Sequence, residues 1–206
     1  MDLEELIDPA HTALVTQECQ NGVIGAAAVL HELADEAQRV AVPNIAHLAR
    51  AARAVSVPVL HCLAVRRADD KGSNTNARLF TATRKLGIRL EPGSRQAELI
   101  PELDVQPEDV VLQRYHGVGP MGGTDLDAVL RNLGVQTIVG VGVSVNIAIT
   151  NFVMDAVNHG YQFVLPRDAV AGVPAAYADA VIDNSLSLLA TITSTDAVVG
   201  AWQAGC

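Results

Sequence analysis

The sequence is poor in aromatic residues and in cysteine. Aromatic side chains make up 3% of the 206 residues while half of all residues are apolar, so alanine, valine and other aliphatic side chains must fill the core. The three cysteines, Cys19, Cys62 and Cys206, cannot all pair with one another. Their spacing fits neither a zinc site nor a disulfide framework. This composition is typical of a tightly packed α/β protein of the reducing cytoplasm, and cytoplasmic is the location that we expect.

Positive charge and long apolar runs are also scarce. Lys and Arg total 14 against 23 Asp and Glu, which gives a formal charge of −9 at pH 7. A nucleic-acid backbone or an anionic membrane repels such a chain on average, and no uninterrupted apolar run reaches the length that a bilayer requires. The first residues are acidic, unlike the basic start of a secretory signal. We therefore expect a small molecule as the ligand, and neither nucleic acid nor membrane as a partner.

Apolar strand-like segments alternate with helical segments along the chain. Strands are predicted over residues 12–19, 57–65, 109–115, 136–142, 161–165 and 190–193. Helices are predicted over residues 43–54, 125–133 (capped by Thr124), 146–159 and 175–189, with a short helical piece at 81–86. Strands rich in Val and Ile that alternate with helices indicate a three-layer, doubly wound α/β fold. We expect a mostly parallel six-stranded sheet with helices on both faces, in one domain over residues 1–206.

Polar side chains follow three of these strands at their carboxyl ends, where sites in such sheets lie. The segments are residues 17–21, 113–116 and 144–148. In the third segment the chain leaves a strand and turns into a helix, a place where an attacking side chain profits from the helix N-terminus. Ala148 occupies this place, and alanine offers no hydroxyl, thiol or carboxylate.

These segments make the chain resemble the isochorismatase-like superfamily of cysteine hydrolases over nearly its whole length. The first strand of the family ends in Asp-Met-Gln-Asn, and residues 18–21 here are Glu-Cys-Gln-Asn. The family then has Lys-x-Tyr-Ser-x-Phe, where residues 113–118 read Gln-Arg-Tyr-His-Gly-Val. It also has Gly-Val-x-Thr-x-x-Cys-Val, where residues 142–149 read Gly-Val-Ser-Val-Asn-Ile-Ala-Ile. All three pieces occur in order with compatible spacing.

The resemblance implies catalytic positions that this chain has changed. In the family the Cys is the nucleophile, the Asp takes its proton, and the Lys supports the pair electrostatically. Carried over, these positions are Ala148, Glu18 and Gln113. Without a thiol at position 148 no acyl-enzyme can form there, so amide hydrolysis of the nicotinamidase or carbamoylsarcosine type is not expected.

The resemblance also implies positions that bind the substrate, namely Gln20, Arg114, His116 and Ser144. Gln113 and Arg114 are alternatives, because neighbours on a strand point to opposite faces, and Gln113 is favoured as a neutral hydrogen-bonding group. The family further implies a cis peptide bond between Val143 and Ser144. That bond would orient an oxyanion hole that includes the backbone N–H of Ala148.

Other candidate residues have plainer explanations. Cys19 should face away from Glu18, and a free cysteine is usually a small core residue. His61 lies within a predicted strand and is interpreted as a packed histidine. The Gly-x-Gly-x-x-Gly string at 117–122 lacks the acidic partner that a dinucleotide site requires, so we interpret it as a loop bordering the pocket. The histidines that bind zinc in some family members are absent after the second strand, so neither a metal nor a cofactor is expected.

Two functions remain open from the sequence. True isochorismatases lack the Cys and hydrolyse a vinyl ether, with the acidic residue as proton donor, and Glu18 could supply that acid. The chain would then be a hydrolase of a small carboxylated molecule that forms no covalent intermediate. The alternative is a catalytically inactive pseudoenzyme that serves as a small-molecule-binding or assembly protein. The family also implies a homodimer or homotetramer.

Overall fold

The computed structural model describes residues 2–204, and its centre is a sheet of seven parallel strands. The strand order is β3-β2-β1-β4-β5-β7, and a short β6 pairs with β4. The strands are β1 (Thr12–Gln17), β2 (Val59–Ala64), β3 (Val110–Arg114), β4 (Thr137–Val143), β5 (Gln162–Pro166), β6 (Val170–Ala171) and β7 (Thr191–Thr193). β1 lies in the middle of the sheet and β3 forms one edge.

Helices cover both faces of this sheet. They are α1 (Leu3–Leu6), α2 (His31–Glu36), α3 (Val42–Ala54), α4 (Arg78–Lys85), α5 (Leu126–Asn132), α6 (Thr150–Asn158), α7 (Ala175–Asn184) and α8 (Thr195–Ala204). One core cluster joins α3 and α8 to one face of the sheet, and a second joins α5, α6 and α7 to the other face. Alternate residues of β1 enter the two clusters, Leu14 the first and Ala13 and Val15 the second, as the period of a strand requires. No described helix is long and apolar enough to cross a membrane.

The predicted fold class is confirmed, with corrections to individual elements. The six predicted strands are all present within two residues of their predicted bounds. β6 adds a seventh strand, whose two residues are too few to form a recognisable sequence pattern. Between β4 and α6 the chain first forms a π-helical turn, Val145–Ile149. Helices α1, α2 and α8 were not predicted. Cys206, one of the three cysteines whose spacing predicts neither a zinc site nor a disulfide framework, lies outside the described residues.

Three of the few aromatic residues, Phe152, Phe163 and Trp202, are among the largest fully buried or nearly fully buried side chains. The Phe163 ring packs edge-on against Phe152 with centroids 5.0 Å apart. Gly140 on β4 makes this possible, because a Cβ there would come within 2.1 Å of the Phe163 ring. The only tryptophan, Trp202 on α8, is buried and donates its indole N–H to the carbonyl of Ile7 at 3.0 Å. A core of small aliphatic side chains is therefore anchored by a few large ones.

A line of buried polar side chains runs from β1 across β2 to the residue before β3, beneath α3. The Nδ1 of His61 lies 2.8 Å from the Thr16 hydroxyl, and its Nε2 lies 3.3 Å from a carboxylate oxygen of Asp109. Arg53 on α3 donates to both oxygens of the same carboxylate, at 3.1 and 2.6 Å. This geometry fits a neutral imidazole that accepts from Thr16 and donates to Asp109. Burial lowers the pKa of His61 below its ordinary 6.5, although the Asp109 carboxylate acts in the opposite direction. His61 is thus a packed strand histidine, as predicted.

We expect His61 to make the protein less stable as the pH falls below about 6.5. In the unfolded chain a histidine takes up a proton near its ordinary pKa, whereas the buried imidazole does so only at lower pH. Between these two pKa values the unfolded state binds more protons, so acid favours unfolding. Urea unfolding measured between pH 7.5 and 5 will show this slope. The His61→Asn variant should be less stable throughout but with a shallower slope, and equal slopes would contradict the assignment.

Candidate active site

Four strand ends meet around one cavity of about 200 Å³ at the carboxyl edge of the sheet. Glu18 follows β1, Val65 and Arg66 follow β2, residues 114–118 end and follow β3, and the turn after β4 supplies residues 143, 144, 147 and 148. Two further segments complete the wall: residues 22–33, and residues 66–95, which we call the covering segment. The predicted position of the site is therefore the position of the cavity.

Glu18 and Arg114 form an ion pair at the base of this cavity. One Glu18 carboxylate oxygen accepts hydrogen bonds from Nη2 of Arg114 and, at 3.0 Å, from the side-chain amide of Gln17. The Arg114 side chain is 5% exposed and that of Glu18 is 19% exposed. Glu18 adopts a left-handed backbone conformation, with φ 54°, which ends β1 and turns its carboxylate into the cavity. The pair spans the end of β2, because β2 separates β1 from β3.

Arg114, and not Gln113, supplies the β3 side chain of this site, which corrects the prediction. Gln113 is exposed and does not border the cavity; it lines a separate small recess with Pro120 and Thr124. Side chains alternate along β3 as expected, and the face toward the cavity is the one that carries Arg114. Arg114 thus brings a positive charge to the cavity, one residue past the position to which the resemblance assigns a lysine.

Gln20 also differs from its predicted role in substrate binding. It is fully buried and is not among the residues that line the cavity. Its amide oxygen accepts from the backbone N–H of Ala64 at 2.9 Å, and its amide nitrogen donates to the carbonyls of Ala64 and Ala97 at 2.9 and 3.1 Å. Gln20 therefore ties the end of β1 to the end of β2 and to the chain after the covering segment. His116 and Ser144 do border the cavity, as predicted.

The turn after β4 brings Ala148 to the cavity wall. The peptide bond between Val143 and Ser144 is cis, as predicted, and the π-helical turn that follows carries Ala148. Just before it, Gly142 has φ 115° and lies so close to β1 that a Cβ would come within 2.2 Å of the Gln17 carbonyl oxygen. Glycine is the only residue that suits both conditions, and it brings the β4 turn against the strand that carries Glu18.

The sequence that forms these strand ends matches a known family. The sequence profile described as "Isochorismatase domain" matches residues 12–197. The chain belongs to the isochorismatase family.

Individual known proteins match this isochorismatase-family chain over different lengths. The isochorismatase family protein YwoC of Bacillus subtilis is 37% identical over 75 residues, which are 36% of this chain and 39% of that protein. The ureidoacrylate amidohydrolase RutB of Methylobacterium radiotolerans is 31% identical over 180 residues, 79% of this chain and 68% of that protein. A crystal structure of a cysteine hydrolase from Pseudomonas syringae superimposes with a TM-score of 0.83 at 24% identity, covering 98% of this chain and 96% of that one. The YwoC match thus spans well under half of that relative.

The two described cysteines of this isochorismatase-family chain lie away from the cavity. Cys19 and Cys62 are free and buried, and neither lines the cavity. Burial raises the pKa of each thiol to about 12, so neither supplies a thiolate near neutral pH. Among residues 2–204 no group of three or more His, Cys, Asp or Glu side chains could hold a metal ion.

The sequence did not reveal how much of the wall comes from the covering segment. Leu79, Phe80 and Thr83 of α4 line the cavity, together with Asn74, whose side-chain oxygen accepts from the Gly117 backbone N–H at 2.7 Å. This hydrogen bond joins the covering segment to the glycine-rich loop after β3. Arg66 adds a second cation to the wall. The only sequence signal was that this polar segment is unusually long for a connection between two strands.

Proposed function

We propose that this isochorismatase-family hydrolase cleaves a small carboxylated molecule without a covalent intermediate, with Glu18 as the group that transfers the proton. The observation that carries the proposal is the Glu18–Arg114 ion pair beside Ala148 in one cavity. Glu18 and Arg114 bring an acid and a cation to the cavity, whereas alanine occupies the position that the resemblance assigns to the nucleophile. The RutB relative is named as an amidohydrolase, but at position 148 this chain has no side chain that could form an acyl intermediate.

Vinyl-ether hydrolysis is the reaction that suits this set of groups. Protonated Glu18 gives its proton to the terminal methylene carbon of the vinyl ether, which leaves an oxocarbenium ion at the ether carbon. Water adds to that carbon and returns a proton to the carboxylate. The hemiketal then collapses to a keto acid and an alcohol. A substrate carboxylate that pairs with Arg114 competes with Glu18 for the guanidinium, and this competition frees Glu18 to carry the proton.

Pyruvate release from isochorismate tests the reaction. The parent protein is expected to release pyruvate, and the Glu18→Gln variant is expected to lose about a hundredfold or more in rate, because glutamine keeps the shape but carries no transferable proton. A coupled lactate dehydrogenase assay measures the product. Glu102→Gln is the matched control, since Glu102 is exposed and lies outside the cavity wall, and it should retain the parent rate.

Two outcomes would contradict the proposal. If Glu18→Gln released pyruvate at the parent rate, Glu18 would not be the proton donor. If the parent protein gave no product from isochorismate or from any of a panel of other carboxylated vinyl ethers, vinyl-ether hydrolysis would be excluded.

A binding or assembly protein without catalysis is the second candidate. It is favoured by Ala148 and by the existing partners of Glu18, whose carboxylate is already held by Arg114 and Gln17. In that case ligands should bind the cavity of the parent and of Glu18→Gln, with no turnover by either protein.

A further inference from the structure

The cavity wall has two chemically different parts. The base carries the Glu18–Arg114 ion pair and Ser144. The rest of the wall is largely aliphatic and aromatic, and most of it comes from the two segments outside the sheet. The apolar side chains that these two segments contribute to the wall are Val23, Leu30, Leu33, Leu79, Phe80, Ile88 and Leu90. A polar substrate such as a sugar acid would leave these side chains without a partner.

Three large apolar side chains at this cavity are left open to solvent. Leu30 is 40% exposed, Leu79 is 39% exposed and Ile147 is 43% exposed, and each belongs to a different segment of the wall. Single exposed apolar residues are ordinary on a protein surface, but several around one concave site mark a binding surface. Their shared position at the cavity indicates that a ligand covers them.

Arg114 indicates which charge the ligand carries. Its Nη2 donates to Glu18, but its buried Nε and Nη1 have no hydrogen-bond partner. Arg114 borders the cavity, so a ligand carboxylate that takes the place of Glu18 at this guanidinium would keep the buried cation paired. The neighbouring wall contains a second cation, Arg66, whose nearest carboxylate contact, to Asp70, is long at 3.4 Å.

From these observations we infer that the substrate is an amphipathic carboxylate, with its anionic end at Arg114 and an apolar body against Leu79, Phe80 and Leu30. This inference deepens the proposed function. That the bound carboxylate is a substrate rests on the proposed hydrolysis, whereas the binding preference itself does not require catalysis. The cavity, at about 200 Å³, is smaller than the 300–1,000 Å³ typical of sites for drug-sized ligands. The apolar body is therefore a short alkyl chain or a single ring.

Binding of simple carboxylates to the parent protein tests the inference without any variant at the ion pair. Dissociation constants for butanoate, hexanoate and 1-hexanol can be measured by protein-observed NMR titration, which suits weak binding. Each buried methylene contributes about fourfold to affinity, so hexanoate should bind about 15-fold more tightly than butanoate. Hexanoate should also bind more tightly than 1-hexanol, which has the same chain and no charge. Equal affinities within either pair would overturn the inference.

A pair of leucine variants then identifies where the apolar chain lies. Leu79→Asn should reduce the hexanoate-to-butanoate ratio at least threefold, because asparagine replaces one apolar wall. The control is Leu188→Asn: Leu188 is 81% exposed and lies outside the cavity, so this change should leave the ratio unaltered. An unaltered ratio in Leu79→Asn as well would place the binding elsewhere and overturn the inference.

Failure of this inference and failure of the proposed function can be told apart. Chain-length-dependent binding without turnover of any vinyl ether would support the amphipathic binding site and contradict the proposed hydrolase function. Turnover of polar vinyl ethers, together with no preference for hexanoate over butanoate, would support the hydrolase function and contradict the inference that the substrate is amphipathic.

Discussion

Replacing Gly142 with alanine is expected to prevent the protein from folding to its native state. A Cβ at this position would come within 2.2 Å of the Gln17 carbonyl oxygen and 2.9 Å of the Gln17 backbone nitrogen, and a backbone cannot move aside as a flexible side chain can. The φ of 115° adds strain for any residue with a Cβ. Relief requires separating β4 from β1, the two central strands, so the loss should exceed about 4 kcal/mol, the range of severe single mutations.

Circular dichroism and urea unfolding of purified Gly142→Ala measure this effect. The matched control is Gly200→Ala in α8, where a Cβ would meet nothing within 4 Å. That change should stabilise the protein by about 0.5–1 kcal/mol, because glycine is unfavourable within a helix. A Gly142→Ala protein with a native spectrum and the parent's unfolding midpoint would show that the contact between β4 and β1 is not as tight as described.

Removing the Asp109 carboxylate should have the second largest effect. Asp109 is buried just before β3 and accepts hydrogen bonds from Arg53, His61 and the backbone N–H of Gln106. Burial raises the pKa of Asp109, but the hydrogen bonds from Arg53 and Gln106 and the positive charge of Arg53 outweigh it and hold the pKa below its ordinary 3.8. Asp109→Leu leaves the Arg53 cation and two further donors without their acceptor. We expect a loss of about 3–5 kcal/mol, the cost of breaking a buried ion pair from one side.

Urea unfolding at pH 7 measures this loss. Glu36→Gln is the control, since Glu36 pairs with Arg39 three residues away on the surface and should change the free energy of unfolding by about 0.5 kcal/mol or less. A double variant, Arg53→Met with Asp109→Leu, should recover part of the loss because no unpaired charge is then buried. If Asp109→Leu were as stable as Glu36→Gln, the network would not secure the edge of the sheet.

Much of the fold could be predicted because its pattern is local. The mainly apolar runs that form β1, β2 and β4 are buried on both faces, and such runs in alternation with helices permit few topologies. The carboxyl-end rule then placed Glu18 and Ala148 at one edge of the sheet. Helix α8 was missed because Ala, Val and Gly give it a weak period and no charged face.

The site was harder to predict because it depends on non-local contacts. Which of Gln113 and Arg114 faces inward is decided by the register of β3 on β2, where Ala64 lies opposite Arg114. No pattern within residues 109–115 contains that information. Gln20 lost its predicted role for a similar reason, since its partners Ala64 and Ala97 are 44 and 77 residues away along the chain. The covering segment has no periodic signal until α4, so its apolar wall became visible only in three dimensions.

The position of β3 at the edge of the sheet has a consequence for the ion pair. β3 is held by one neighbouring strand, β2, while β1, which leads to Glu18, is held on both sides. Backbone segments with fewer partners open locally at lower free energy than the whole molecule unfolds. The anion of the site thus belongs to the most protected part of the sheet and the cation to one of its least protected parts. The Asp109 network lies at the opposite end of β3 from Arg114, so it restrains fraying of the edge strand that carries the cation of the site.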